Sequence, residues 1–109
     1  MRLFEIIKNL FVTPTNEYKN HPEAVIVACY FNSERNPYRL TAFSEFYDSI
    51  KHLNHRVVEC VIGDGRPELD HSNPNFSLVH TNTTLWHKET LLNNLIKSLP
   101  SKFKYVMWV

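Results

Sequence analysis

One apolar run, Ala-Val-Ile-Val-Ala-Cys-Tyr-Phe at residues 24–31, constrains the fold most strongly. It is the longest unbroken apolar segment of the chain, and Asn32 and further turn residues follow it. A short β-branched run closed in this way is typical of a strand buried on both faces, as in a parallel sheet. We therefore predict a central strand here. The polar loop after it then lies where open α/β sheets bind their ligands.

Length and charge limit the classes of protein to which the chain can belong. With 109 residues, 43% of them hydrophobic, it can build one small core. A formal net charge of +1 gives no basic surface for nucleic acid, so we expect no nucleic-acid partner. Cys29 and Cys60 both lie in apolar, strand-like runs. We expect buried, reduced thiols there rather than a disulfide or a metal site.

Glycine is rare, and its placement excludes several functions. Only Gly63 and Gly65 occur, within Ile-Gly-Asp-Gly-Arg-Pro at residues 62–67. A dinucleotide-binding fingerprint or a phosphate-binding P-loop needs several glycines between a strand and a helix. Because the predicted central strand has no glycine after it, the common dehydrogenase, methyltransferase and P-loop functions are excluded.

Residues 1–23 are predicted to form a separate N-terminal segment. Apolar residues at helical spacing over residues 2–11 predict an amphipathic helix, and Pro14 and Pro22 mark the polar stretch after it as a linker. The helix either closes over the domain's own core, which we favour, or docks on a membrane surface or a partner. The sequence shows no signal peptide and no membrane span, so we expect a cytoplasmic protein without a transmembrane segment.

Residues 24–109 are predicted to form one domain of alternating strands and helices. Asn36-Pro37 after the first strand favours a helix start, because Asn suits the N-cap and Pro the first helical position. A second strand over residues 57–62 contains Glu59, which must face an edge or find a partner. The remaining predicted elements are a loop over 67–75, a strand over 76–80, a helix that ends at Pro100 and a strand over 105–109.

Two apolar stripes define the inner faces of the predicted helices. On the first helix the stripe consists of Leu40, Phe43, Tyr47, Ile50 and Leu53, and on the second of Leu85, Leu92, Leu95, Ile96 and Leu99. Strands that alternate with such helices imply parallel β-α-β units with right-handed crossovers. We predict a Rossmann-like, mostly parallel α/β sheet with strand order 3-2-1-4. The switch point then lies between the first and fourth strands.

The series resembles the N-terminal half of a GT-A glycosyltransferase, in the style of glycosyltransferase family 2. The first strand with Asn32-Ser33-Glu34 resembles the family's first strand and its Asn-Glu loop, and the second strand ends in a similar Asp64-Gly65 turn. The most specific part is the stretch from residue 85 to 109, which resembles the helix and strand that lead into the family's metal-binding Asp-x-Asp. The resemblance covers residues 24–109.

This resemblance implies a nucleotide-sugar donor bound over the carboxyl ends of the strands. Asn32 and Glu34 correspond to the family's loop near the nucleoside. Asp64 corresponds to the family's acidic residue that accepts a hydrogen bond from the base. Lys88 and Asn93 lie in the segment that borders the donor. The family also implies a divalent cation, Mn²⁺ or Mg²⁺, on the donor's diphosphate.

Two departures from the family pattern change what we expect of this chain. The family often has two acids before the glycine of its second strand, whereas Gly63-Asp64 stands here. The Asp-x-Asp itself is absent, and no other closely spaced Asp pair supplies oxygen ligands. We expect the full-length protein to use the cation, and this chain alone to bind none and to transfer no sugar.

Each candidate site residue also has a simpler interpretation. Asp64 between glycines suits a plain turn, Asn32 and Glu34 could cap the following helix, and Lys88 could lie on a solvated face. A second functional hypothesis follows: a non-catalytic α/β binding or interaction module. It would meet a partner or a second copy through the N-terminal helix or the exposed terminal strand.

Overall fold

The computed structural model describes residues 20–83 and 88–109 of the chain. The helix predicted over residues 2–11 and most of the predicted linker lie outside the described residues. The elements in chain order are β1 (Ala24–Phe31), α1 (Pro37–Ile50), β2 (His55–Ile62), β3 (Phe76–Thr81), α2 (Lys88–Lys97) and β4 (Tyr105–Trp108).

The strands form one parallel sheet in the order β3-β2-β1-β4. This arrangement confirms the predicted Rossmann-like fold class and the predicted strand order. In the register, Ile26 of β1 is opposite His55 of β2, and Ala24 is opposite Tyr105 of β4. Because all strands run in one direction, their carboxyl ends meet at a single edge. The loops that follow β1 and β2 are therefore neighbours.

β1 is the core of the sheet, and each of its faces is covered by one helix. On one face, Ala24 and Ile26 pack with Ile50 and Leu53, at and just after the end of α1. On the other face, Val58 and Cys60 of β2 pack with α2, together with half-buried residues of β1. Both thiols are free. Cys60 is buried as expected, whereas Cys29 is only half-buried.

α1 begins where the sequence predicts and ends earlier than its apolar stripe. The Asn36 side chain accepts a hydrogen bond from the Tyr38 backbone N–H (3.0 Å), and Pro37 occupies the first helical position. The helix ends at Ile50, yet Leu53 remains buried because a turn carries it into the core, with its N–H donating to the Ile50 carbonyl. The stripe therefore includes one residue of the turn.

β2 begins two residues earlier than predicted because a buried histidine opens it. The His55 ring lies 2.8 Å from the Leu53 carbonyl through Nδ1 and 3.1 Å from the Tyr47 hydroxyl through Nε2. These partners satisfy both ring nitrogens, so a polar residue occupies a strand position inside the core. Phe76 of β3 packs edge-on against Tyr47 and extends this aromatic cluster.

α2 lies against β1 and β2 through a wider apolar face than predicted. Leu92 is buried as expected, and Leu91, which the sequence stripe omitted, is buried beside it. Leu85 of the predicted stripe lies outside the described residues. In the part of the chain that the structure covers, neither helix is both long and apolar enough to cross a membrane.

Candidate functional site

The loops after β1 and β2 enclose a cavity of about 230 Å³ at the carboxyl edge of the sheet. We call it the β1–β2 cleft. The polar residues on its walls come from both loops and from β2: Asn32, Ser33, Arg35, Glu59, Arg66 and Glu68. Ligands of open α/β sheets bind at this edge. The cleft lies between β1 and β2, on the other side of β1 from the switch point between β1 and β4. We take it as the candidate site because more polar residues line it than line a second cavity beside Cys29.

Asn32 begins the loop after β1, and its side-chain amide is hydrogen-bonded to other residues of the protein. It is buried, its Nδ2 donates to the Asn36 carbonyl (2.9 Å) and the Tyr30 hydroxyl (3.2 Å), and its Oδ1 accepts from the Asn36 N–H (3.0 Å). The N-cap of α1 is Asn36 itself, and Asn32 holds that cap in place. Asn32 thus lines the cleft and shapes it.

Arg35 crosses from the first loop to the second. Its backbone is in the left-handed region, with φ of 52°, which is uncommon for a residue with a side chain. Its guanidinium Nη2 donates to the Arg66 carbonyl. Glu34 beside it is exposed and is not among the residues that line the cleft.

Two glycines shape the second loop for different reasons. Gly63 has φ of 57°, and its N–H donates to the Thr81 carbonyl (2.6 Å) at the end of β3. At Gly65 the obstacle is space, since a Cβ there would lie 2.9 Å from Val61 Cγ1 and 3.1 Å from the Ile62 carbonyl oxygen. Asp64 between them is exposed at the rim and does not line the cleft.

Glu59 is a buried carboxylate with every oxygen engaged. Only 2% of the residue is exposed, and its Oε2 accepts from the Glu68 N–H (2.7 Å). Its Oε1 accepts from the Leu69 N–H (3.2 Å) and lies 2.7 Å from His71 Nε2. Glu59 therefore has the partners that a buried strand carboxylate requires. The same contacts hold residues 68–71 over the end of the cleft.

The Tyr30 hydroxyl accepts a hydrogen bond from Asn32, which lines the cleft, and lies near Glu68. Burial raises the pKa of the Tyr30 phenol above its usual value, and the neighbouring Glu68 carboxylate raises it further, while the hydrogen bond from Asn32 acts in the opposite direction. The phenol therefore stays protonated and can donate, and Glu68 offers a carboxylate acceptor inside the cleft.

Lys88 and Asn93 lie on α2, away from the β1–β2 cleft. Lys88 is half-buried at the start of the helix, near Cys29, and Asn93 is exposed. Burial raises the pKa of the Cys29 thiol to about 11, the neighbouring Cys60 adds to the rise, and the Lys88 charge opposes it. A second, open cavity lies beside Cys29 and is bounded by Arg39, whose Nη1 donates to the Phe31 carbonyl (3.0 Å).

No three His, Cys, Asp or Glu side chains among the described residues are grouped closely enough to hold a metal ion. The Glu59 carboxylate, on β2, already accepts from two backbone amides and contacts His71. No metal-dependent step is therefore assigned to these residues.

Of the five site residues named from the sequence, only Asn32 lines the cleft. Glu34 and Asp64 lie at the exposed ends of the two loops that form it, and Lys88 and Asn93 lie on α2. The sequence reasoning missed the functional groups that do face the cavity: Arg35, Arg66 and Glu68. The one feature of the sequence that could have indicated these three residues is their position in the loops predicted at the carboxyl edge of the sheet.

No family model, no curated protein and no solved structure significantly matches this chain.

Proposed function

We propose that this chain is the nucleotide-binding part of a glycosyltransferase of GT-A type, and that it holds a nucleotide-sugar donor in the β1–β2 cleft. The observation that carries the proposal is the cleft itself, which brings guanidinium and carboxylate groups of two loops together at the carboxyl edge of a parallel sheet. No residue of the chain is assigned to the transfer step.

The groups in the cleft match the chemistry of a nucleotide. Arg35 and Arg66 supply planar donor groups of the kind that bind phosphate. The Glu68 carboxylate is an acceptor for ribose hydroxyls or for an N–H of the base. Glu59 does not compete for the ligand because its oxygens are already engaged.

The rim residues agree with the same ligand position. Glu34 and Asp64 are both exposed, Glu34 in the loop after β1 and Asp64 in the loop after β2. A carboxylate at the end of a strand can accept from the N–H edge of a base, which is the role that the family resemblance gives to Asp64. Lys88 and Asn93 would then border the donor beyond β1.

Ligand titration followed by NMR tests the proposal. Uniformly ¹⁵N-labelled protein is titrated with UDP, GDP, ADP, CDP and TDP, each to millimolar concentration. At least one is expected to bind saturably, with amide shifts concentrated in residues 32–36 and 63–68. A dissociation constant of about 1 mM corresponds to a binding free energy of about −4 kcal/mol. If none of the nucleotides causes a saturable shift at that concentration, the proposal is wrong.

A matched pair of variants locates the binding. Glu68→Gln removes the carboxylate inside the cleft, and Glu89→Gln makes the same change at an exposed position on α2. The first is expected to weaken nucleotide binding and the second to leave it unchanged. Equal affinities for both variants and the original chain would place any bound nucleotide elsewhere.

One observation favours the second hypothesis, a binding or interaction module. The edge strand β4 exposes Tyr105 and Trp108, and Val109 after it is exposed as well. Large apolar side chains exposed on an edge strand are typical of surfaces that meet another chain. Light scattering after size exclusion tests this function: a dimer that Trp108→Lys converts to a monomer supports it, and a monomer at high concentration contradicts self-association.

A further inference from the structure

Arg35 adopts a backbone conformation that its own chemistry does not favour. With φ of 52° it lies in the left-handed region, which costs a residue with a Cβ roughly 1–2 kcal/mol. Asn or Gly would occupy this position with less strain. A strained residue persists where the surrounding structure holds it, and such residues are concentrated at ligand sites.

The strained backbone directs the Arg35 side chain across the cleft. Its Nη2 reaches the Arg66 carbonyl on the opposite loop. The same nitrogen lies 3.7 Å from the position that a Cβ on residue 65 would occupy, so the guanidinium lies over Gly65. One contact to a carbonyl engages only part of the guanidinium, which carries five N–H donors in a planar fork.

Neither arginine on the cleft forms an ion pair with an acid among the described residues. Within residues 20–83 and 88–109, Arg35 and Arg66 take part in no ion pair, and the Arg66 side chain makes no hydrogen bond. Of the two acids on the walls, Glu59 is held by the amides of residues 68 and 69 and by His71, and Glu68 lies near Tyr30. Two arginines that form no ion pair thus line one cavity from opposite loops.

We propose that Arg35 and Arg66 form a two-sided clamp for the phosphate groups of the nucleotide. The inference rests on the proposed function and deepens it, because it assigns the phosphate end of the ligand to this pair. Guanidinium groups bind phosphate oxygens through two parallel N–H donors, which fixes the orientation of the group as well as its charge. On binding, Arg35 exchanges its bond to the Arg66 carbonyl for bonds to the phosphate.

Three variants of the full chain separate a phosphate contact from a structural role. Arg35→Asn keeps a residue that tolerates the left-handed region and removes the guanidinium. Arg66→Gln removes the second one, and Lys97→Gln removes a charge at the exposed end of α2, near the amino edge of the sheet. Calorimetry measures the affinity of each variant for inorganic pyrophosphate and for three compounds with the base that binds in the NMR titration. These are its nucleoside, its nucleoside monophosphate and its nucleoside diphosphate.

The clamp predicts a specific pattern of affinities. The original chain binds the diphosphate more tightly than the nucleoside, and each arginine variant binds the diphosphate about tenfold more weakly, with unchanged nucleoside affinity. Lys97→Gln binds as the original does. Thermal unfolding of Arg35→Asn occurs at the same temperature or higher, whereas an arginine needed only as a strap between the loops would lower it on removal.

The possible failures are distinguishable. If nucleotides bind and neither arginine variant changes the diphosphate affinity, the clamp is wrong and the proposed function stands. If pyrophosphate binds in an Arg35-dependent way and no nucleotide binds better, the clamp stands and the proposed function is wrong. If neither pyrophosphate nor any nucleotide binds, both are overturned.

Discussion

Replacing Glu59 by Gln tests whether the buried carboxylate holds the wall of the cleft. The substitution keeps the shape of the side chain and removes the charge. Glu59 accepts from the N–H groups of Glu68 (2.7 Å) and Leu69 (3.2 Å) and lies 2.7 Å from His71 Nε2, with 2% of the residue exposed. In either orientation, the amide of Gln turns its NH₂ group toward at least one backbone N–H.

The expected cost follows from the number of donors affected. One charge-assisted hydrogen bond is lost, and a buried N–H is left without an acceptor, which together destabilise the fold by about 2–3 kcal/mol. Because a domain of this size is stable by only about 5–15 kcal/mol, the loss is large. It corresponds to a melting temperature lower by roughly 10 °C or more.

Urea unfolding followed by far-UV circular dichroism measures the change in the free energy of unfolding. The matched control is Glu45→Gln, on the exposed side of α1, which is expected to change it by less than about 0.5 kcal/mol. Hydrogen exchange of the Glu68 and Leu69 amides supplies a local measurement, and both are expected to exchange faster in Glu59→Gln. A Glu59 variant as stable as the Glu45 control would refute the reasoning.

Three further predictions concern other parts of the molecule. Gly65→Ala is expected to destabilise the fold by about 1–3 kcal/mol because its Cβ would meet Val61 Cγ1 at 2.9 Å, and urea unfolding measures this; a loss below that of a surface Ala substitution would contradict it. Asn36→Ala removes the N-cap of α1 and is expected to cost about 1 kcal/mol in the same assay, whereas Asn36→Asp should largely restore it. Because the Cys29 thiol has a pKa of about 11 in the fold against 9.0 as its ordinary value, the folded chain holds its proton where the unfolded chain has lost it. Stability is therefore expected to fall as the pH rises from 9 to 11, and less steeply in Cys29→Ala, with equal slopes refuting the assignment.

The sheet could be predicted from the sequence because its signals are strong and local. The buried run at 24–31 and the alternation of strands with helices determine a parallel sheet, and right-handed crossovers leave few strand orders. The start of α1 followed from Asn36-Pro37, since capping depends on neighbouring residues. These features involve short stretches of chain or general rules of chirality.

The elements that differed from prediction depend on contacts between distant residues. His55 belongs to β2 because the Tyr47 hydroxyl and the Leu53 carbonyl satisfy its ring, and neither partner is recognisable from residue type alone. Leu91 is buried because α2 contacts β1 and β2 over a wider face than an apolar stripe indicates. Tertiary packing here overrides the local pattern.

The candidate site was less predictable than the fold, for a related reason. The sequence places Asn32, Glu34 and Asp64 correctly in the loops of the carboxyl edge, but it does not show which side chains turn inward. That depends on the left-handed backbone at Arg35 and on the folding of residues 68–71 onto Glu59. Both are determined by contacts between the two loops.

The central position of β1 has a consequence for the order in which the chain folds. Ala24 of β1 pairs with Tyr105 of β4, so one edge of the most apolar strand is completed only by the last strand in the described chain. Pairings this distant in sequence make folding slow, because the loop-closure entropy is lost before the contacts form. During synthesis that edge stays open, and it is there that association with other chains would compete with folding.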